Sequence, residues 1–376
     1  MSPLDETPPE PGPPAKPDFM VWPPIPEAPY TVPGEPPPPP RRRHRSITFR
    51  LLGILLVLCG LLAGGGVTAV LVYEHHLDNN IGRIGNPFAA LPEKARPKPL
   101  ADGATDILML GSDSKISVDP SNWALGAQHT DAIMIAHIPA DRSRVTVTSI
   151  PPDSWVTVPG HGKNQINAGY ALGGPTLMVQ TVENLTHVRI DHIMIVDFEG
   201  FKDITDELGG VRVNVASTTS NAKLKFAPGV QTMDGATALR YVRQRHNLPG
   251  GDFNRVARQQ TWIRAVSVKT LEKGTLTNPI TLNQVLNSLT SAISADDDFS
   301  IGRMRSLAVS LRGLRGDDLV FITAPVAGTG RSPDGKLPIV KLDAEANRSL
   351  WAALAGDDIP QWLAAHPEAT RPAAAA

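Results

Sequence analysis

Residues 192–215 read HIMIVDFEGFKDITDELGGVRVNV, and the architecture turns on this stretch. HIMIVDF (192–198) is a short apolar run that reads as a strand. FKDITDELGG (201–210) reads as a helix stopped by its two glycines, residues that readily take the left-handed conformation ending many helices. VRVNV (211–215) alternates apolar and polar residues, the period of a second strand.

The same alternation extends in both directions. Upstream, DILMLGSD (106–113), DAIMIAHIP (131–139) and RVTVTSIPPD (144–153) read as strands. GGPTLMVQTVENLTH (173–187) places Leu177, Val179, Val182 and Leu185 at helical spacing. These apolar residues suit a core or one wall of a lipid groove. Downstream, helical patterns cover 255–273, 281–294, 301–314 and 343–355. Strands alternating with helices predict an α/β fold, a three-layer α/β/α sandwich around a central mixed sheet, over residues 105–365.

The N-terminal part is organised differently. Of 36 prolines, 17 lie in the first 40 residues. Such a segment cannot bury a core, so residues 1–46 are expected to form a disordered tail. Arg41–Arg45 (RRRHR) then precedes residues 51–72, a run of 22 without a charge. About 20 apolar residues cross a bilayer, so 47–73 is predicted to be one transmembrane helix. The arginine block keeps the tail in the cytoplasm and puts the main domain outside. Residues 74–104, broken by Pro87, Pro92, Pro97 and Pro99, read as an extracytoplasmic linker. Residues 366–376 read as a frayed tail. With a net charge of −1 there is no global case for nucleic-acid binding. The single cysteine, Cys59, excludes an intramolecular disulfide and a cysteine metal cage.

The candidate chemistry lies in RYVRQRHNLPGGDFNRVARQQ (240–260). Arg243 and Arg245, two apart, suit one face of a strand. Arg255 and Arg258, three apart, suit one face of a helix. A turn from strand to helix here would aim several guanidinium groups into one pocket, where they bind phosphate oxygens bidentately. The other reading is a salt-laced surface helix. Asp113 ends one strand and Asp131 begins the next. Two carboxylates at strand ends suit Mg²⁺ held with substrate phosphates, or serve as turn and cap residues. Trp155 reads as core packing or as one side of a ligand mouth.

Six blocks then carry a family resemblance. GSDSK (111–115), HTDAIM (129–134), VTSIPPDSWV (147–156), INAGYALGGP (166–175), VDFEGFKDITDELGGV (196–211) and VRQRH…GDFNRVARQQ (242–260) come in the order seen in the LytR-CpsA-Psr family. With its tail-and-span layout, the chain resembles an actinobacterial member over about residues 105–325. The resemblance implies an α/β/α fold with a long apolar groove. It implies a phosphotransferase that moves a glycopolymer from a polyprenyl diphosphate carrier to peptidoglycan outside the membrane. It makes Asp113 and Asp131 the Mg²⁺-associated aspartates and Arg243 and Arg245 the diphosphate ligands. Gln259 would also reach the phosphates, and Asp252 would orient or deprotonate the acceptor hydroxyl. Lys115, Arg255 and Arg258 complete the candidate substrate-binding set, with Arg255 and Arg258 expected behind the phosphate contacts.

Three positions depart from the family pattern. Pro152 stands where the family has arginine in Pro-Arg-Asp, His129 where it has arginine before Thr-Asp, and Lys115 where it often has arginine. The chain is therefore expected to be a transferase, with two alternatives. One is a binding protein for lipid-linked glycan that does not transfer it; the other is a pyrophosphatase-like hydrolase. Arg142, Arg144 and Arg189 are the candidates to replace the missing charge.

Overall fold

Strand β2 (Thr105–Ser112) is the axis of the molecule, with β3 (Thr130–Ile138) antiparallel on one side and β7 (His192–Val196) parallel on the other. The computed structural model describes residues 77–99, 103–112, 130–216, 218–221, 224–244, 252–271, 287 and 289–370. Beyond β3 the sheet continues through β4 (Val145–Ser149) to the parallel β13 (Leu319–Thr323). Beyond β7 it continues through the antiparallel β12 (Ile293–Ala295) to the edge strand β1 (Gly82–Arg83). These seven strands form a mixed sheet in an α/β fold.

Alternate residues of a strand point to opposite faces, and these central strands are apolar on both. Leu108, Leu110, Ile133, Ile135, Ile193 and Ile195 fill one face, under helix α1 (Ala168–Thr186) and a later helix, Ala344–Ala355. Ile107, Met134 and Ala136 belong to the other face, under a helix at Ile301–Ser310. A third apolar cluster joins α2 (Phe198–Glu207), the ribbon of β8 (Val211–Val215) with its antiparallel partner Gly229–Met233, and helices α3 (Gly235–Val242) and α4 (Asp252–Leu271).

The reading of residues 192–215 agrees with the structure. Helix α2 begins earlier than expected because Asp197 caps it, accepting a hydrogen bond from the Gly200 N–H at 2.8 Å. It stops where Gly209 and Gly210 adopt φ +72° and +85°. Helix α1 begins at Ala168 rather than 173 and is broken by non-helical Gly173 and Gly174, just before Pro175. Its Met178, Val179 and Val182 are core residues.

Other expectations are corrected. The residues before Arg243 form helix α3 and not a strand. Asp234 caps that helix through the Thr237 N–H, which outweighs the strand-like spacing of the arginines. Residues 293–295 are strand β12, where a helix was expected. Residues 77–96 pack into the folded body although a linker was expected: Leu77, Ile81, Ile84 and Leu91 are buried. Arg96 forks onto buried Glu183, with Nη2 2.7 Å from Oε1. The prolines there direct an irregular path and do not prevent packing. The predicted span at 47–73 and the N-terminal tail lie outside the described residues. Among the described residues no helix is long and apolar enough to cross a membrane.

A buried polar clip ties the sheet to the C-terminal helices. His137 Nδ1 lies 2.9 Å from Asp106 Oδ1, and its Nε2 lies 3.0 Å from Asp357 Oδ1. Asp357 takes a left-handed conformation, φ +56°, after the last-but-one helix.

Candidate functional site

The carboxyl ends of β2, β4, β7 and β13 lie at one end of the sheet, where ligands of open α/β sheets usually sit. Helix α4 crosses that end. Gln260 anchors it, donating from Nε2 to Ser149 Oγ at 2.8 Å, Ile322 O at 3.0 Å and Thr323 Oγ1 at 3.1 Å. The anchor fixes the rotation of α4, so Arg255, Gln259, Trp262, Ile263 and Val266 face a cavity of about 270 Å³. These positions follow helical spacing on one face.

The floor of the cavity is the sheet. Met109 is in register with Met134 on one side and Met194 on the other, and all three line the cavity. One step along the strands, Gly111 is in register with Ala132 and Val196, which also line it. Phe201 and Ile204 of α2 close the apolar wall, Phe201 stacking on Trp262 with ring centroids 3.8 Å apart. Thioethers are flexible and polarisable, so a methionine floor adapts to the shape laid against it.

The mouth is polar. Asp131, Asp197, Arg243, Arg255 and Gln259 line it. Gln259 Nε2 donates to the Asp131 carbonyl at 3.2 Å, and Arg255 Nη1 lies 3.9 Å from Asp131 Oδ1. Arg243 is exposed at the C-terminus of α3. The structure therefore brings together four of the expected residues, Asp131, Arg243, Arg255 and Gln259.

Arg258 does not belong to this group. It turns away, 4.1 Å over the Tyr241 ring, and donates to Tyr241 O, Gln244 Oε1 and Thr219 Oγ1 at 2.8–3.0 Å. Burial pulls its pKa below the usual arginine value, and it acts as a structural bolt between α4 and α3. Asp252 is the first residue of α4; its side chain, like Asp113, Lys115, His129 and Arg245, lies outside the described residues.

None of the three candidates to replace the missing arginine lines the cavity. Arg189 pairs with Glu93 and Arg142 donates to carbonyls of its own turn. Pro152 is buried, its carbonyl accepting from Asn167 N at 3.2 Å. The helix expected as a possible groove wall, 173–187, packs on the opposite face of the sheet from the methionines. Sequence reasoning missed the methionine row. Its signal was there, in three methionines each inside an apolar strand, but their register is a tertiary fact.

Fold and site thus define an α/β protein with an amphipathic pocket at the carboxyl ends of its strands, apolar in depth and ionic at its mouth. The family model described as LytR_cpsA_psr matches residues 83–355, and the chain belongs to that family. It is 31% identical over 299 residues to the cell wall biosynthesis protein LcpA of Corynebacterium glutamicum. That match covers 69% of this chain and 57% of that protein, so the chain spans little more than half the length of this relative. It is 30% identical to the polyisoprenyl-teichoic acid–peptidoglycan teichoic acid transferase TagU of Oceanobacillus iheyensis, over 81% of this chain and 92% of that one. The LytR-Csp2A-Psr enzyme from Actinomyces oris shares the fold, with a TM-score of 0.58 and 22% identity over 73% of this chain and 96% of that one.

Proposed function

We propose that this protein is a membrane-anchored extracytoplasmic transferase. It moves a glycopolymer from a polyprenyl diphosphate carrier to peptidoglycan, the reaction class that the name of the TagU relative describes. The observation that carries the reading is the cavity itself, an apolar chamber on a methionine floor with Arg243, Arg255, Gln259 and Asp131 at its mouth. The chamber suits the first units of a prenyl chain and the mouth suits a diphosphate.

In this reading the acceptor hydroxyl oxygen attacks the glycan-side phosphorus. A new P–O bond forms, the bond to the bridging oxygen breaks, and polyprenyl phosphate leaves with that electron pair. Arg243, with Arg245, neutralises the phosphoryl oxygens as charge moves onto the leaving group. Gln259 orients the diphosphate, and Arg255 steadies both the phosphates and Asp131. Asp252 takes the hydroxyl proton. Lys115 adds charge where the family often has arginine.

Asp131 suits a hard cation, since its carboxylate is partly exposed at a mouth where, among the described residues, no histidine or cysteine stands. Asp113 follows Ser112, which is in register with Thr130, the neighbour of Asp131. Mg²⁺ held by these two aspartates would supply Lewis-acid charge to the phosphate oxygens. The uncharged run at 51–72 would anchor the chain.

The test uses the full chain in detergent with a short-chain polyprenyl diphosphate sugar, Mg²⁺ and a peptidoglycan acceptor. Release of polyprenyl phosphate that requires the acceptor, and that Arg243→Ala abolishes, is the expected result. Equal release with water alone would replace transfer by hydrolysis. Binding without release would leave a carrier-binding protein.

A further inference from the structure

The described residues enclose a second, larger cavity of about 790 Å³. It lies in the layer of α1 and of helix α6 (Ala344–Ala355), on the other face of the sheet from the methionine row. Its walls come from the end of α1, from the hairpin of β5 (Trp155–Val158) and β6 (Gly162–Gln165), from β15 (Pro338–Leu342) and from α6. It shares no lining residue with the first cavity, and the proposed transfer reaction uses none of it.

The lining combines three kinds of group. Trp155, half-buried on β5, offers indole surface, and Trp351 of α6, 5% exposed, packs in the core behind the wall. Lys163, Lys341 and Arg348 are exposed cations on three different elements, and none has an ion pair among the described residues. Asp343 is the carboxylate in the lining, and it is occupied as the N-cap of α6, accepting from Glu345 N at 3.0 Å and Ala346 N at 2.9 Å. The lining therefore has an excess of positive charge.

Asn347 fixes the wall behind these groups. It is 4% exposed. Its Nδ2 donates to Pro325 O at 2.6 Å and Asp343 O at 2.7 Å, which fixes the amide. Its Oδ1 accepts no hydrogen bond from the protein. That oxygen is itself closed off from the cavity, so Asn347 braces the start of α6 against Pro325 and meets no ligand.

Indole faces pack against the C–H faces of sugar rings. Lysine and arginine bind a carboxylate or phosphate with charge-assisted hydrogen bonds. The volume falls within the range of sites for small ligands, about 300–1,000 Å³, enough for one or two sugar rings. We propose that this cavity binds an anionic saccharide, at a second ligand site on the opposite side of the sheet from the phosphate-binding mouth.

The proposal does not depend on the transfer reaction, because binding is measured directly. The full chain in detergent is titrated by calorimetry with three probes. These are the disaccharide of N-acetylglucosamine and N-acetylmuramic acid, its neutral counterpart diacetylchitobiose, and inorganic phosphate. The muramic acid disaccharide should bind at least about tenfold more tightly than either of the others, the size of one charge-assisted contact. Lys341→Ala combined with Arg348→Ala should weaken it by a similar factor. Both residues are exposed, so circular dichroism and melting should stay unchanged. Trp155→Ala should weaken both saccharides, and Arg243→Ala should weaken neither. The proposal is overturned by equal binding of the neutral disaccharide, by equal binding of phosphate, or by no binding of any probe. It is also overturned if the double variant binds like the parent, or if Arg243→Ala removes binding, which would put the saccharide at the first site.

Discussion

Leu108 and Met109 are neighbours on β2, yet they belong to two different kinds of interior. Leu108 is fully buried, in the part of its face packed solid beneath α1 and α6, and it lines neither cavity. Met109 is half-buried, in a row of three methionines beneath an open cavity. Along β2, one set of side chains is therefore sealed in a core and the other lines a cavity, because alternate side chains point apart. Branched residues with few rotamers make the solid face, and flexible thioethers make the open one. The cavity exists because α4 is held at a fixed rotation by Gln260 and does not collapse onto the methionines.

The largest expected effect tests the binding face at its mouth. Arg243→Ala should lower the transfer rate by about 10²–10³, the loss typical of removing one contact made to developing charge. Arg243 is exposed at a helix end, so the melting temperature should hardly move. A large drop in melting temperature would mean that the mouth is part of the structural core, and the contrast would fail.

The second test compares the faces directly. Leu108→Ala should cost about 2–5 kcal/mol in denaturant unfolding, as expected for a leucine deleted from a tightly packed core. Met109→Ala should cost less than half as much, because one side of Met109 already faces open space. Met109→Trp should fill the cavity and weaken long prenyl substrates more than short ones, since each buried methylene contributes about 0.8 kcal/mol. Equal costs for the two alanine variants, or no dependence on chain length, would break the comparison.

Much of this was legible in the sequence, for definite reasons. Strands buried on both faces read as continuous apolar runs, so 106–112, 131–138 and 192–196 stood out. Gly209 and Gly210 marked the end of α2 because they take positive φ. The β5–β6 hairpin was not legible, since GKNQ at 162–165 is polar and carries no strand period. Helix α3 was hidden by the alternating arginines, although Asp234 three residues before Thr237 was a cap signal. At the site, Arg255 and Gln259 share a face at i, i+4 and both reach the cavity. Arg258 stands about 100° round the helix from Gln259. That places it between α4 and Tyr241, a difference the linear spacing of basic residues does not reveal.

The third test uses that distinction. Arg258→Met should destabilise the fold by about 1–3 kcal/mol, because Gln244 and Thr219 lose a buried donor. Substrate affinity of the remaining folded protein should be unchanged. Arg255→Lys should do the reverse, raising KM with little change in unfolding. Loss of substrate affinity in Arg258→Met would place that residue back among the phosphate ligands.

The smallest expected effect belongs to the solid face and depends on pH. Burial pushes the Asp106 carboxyl up to about 6, against the opposing bond from His137. Burial alone would lower the pKa of His137, but its bonds to Asp106 and Asp357 outweigh it and raise the value above that of free histidine. Both groups thus hold protons more tightly in the folded chain than in the unfolded one. The Asp106 contribution to stability falls as pH rises from 3.8 to about 6. The His137 contribution is fully present below its unfolded pKa, about 6.5, and is lost as pH rises through the higher folded value. As pH rises above about 6.5 the clip should therefore weaken and the melting temperature should fall. His137→Gln should be less stable than the parent at pH 6 and should lose this slope, which scanning calorimetry across that range would measure. A slope that survives in His137→Gln would assign the pH dependence to other groups, and the solid face would then owe its stability to apolar packing alone.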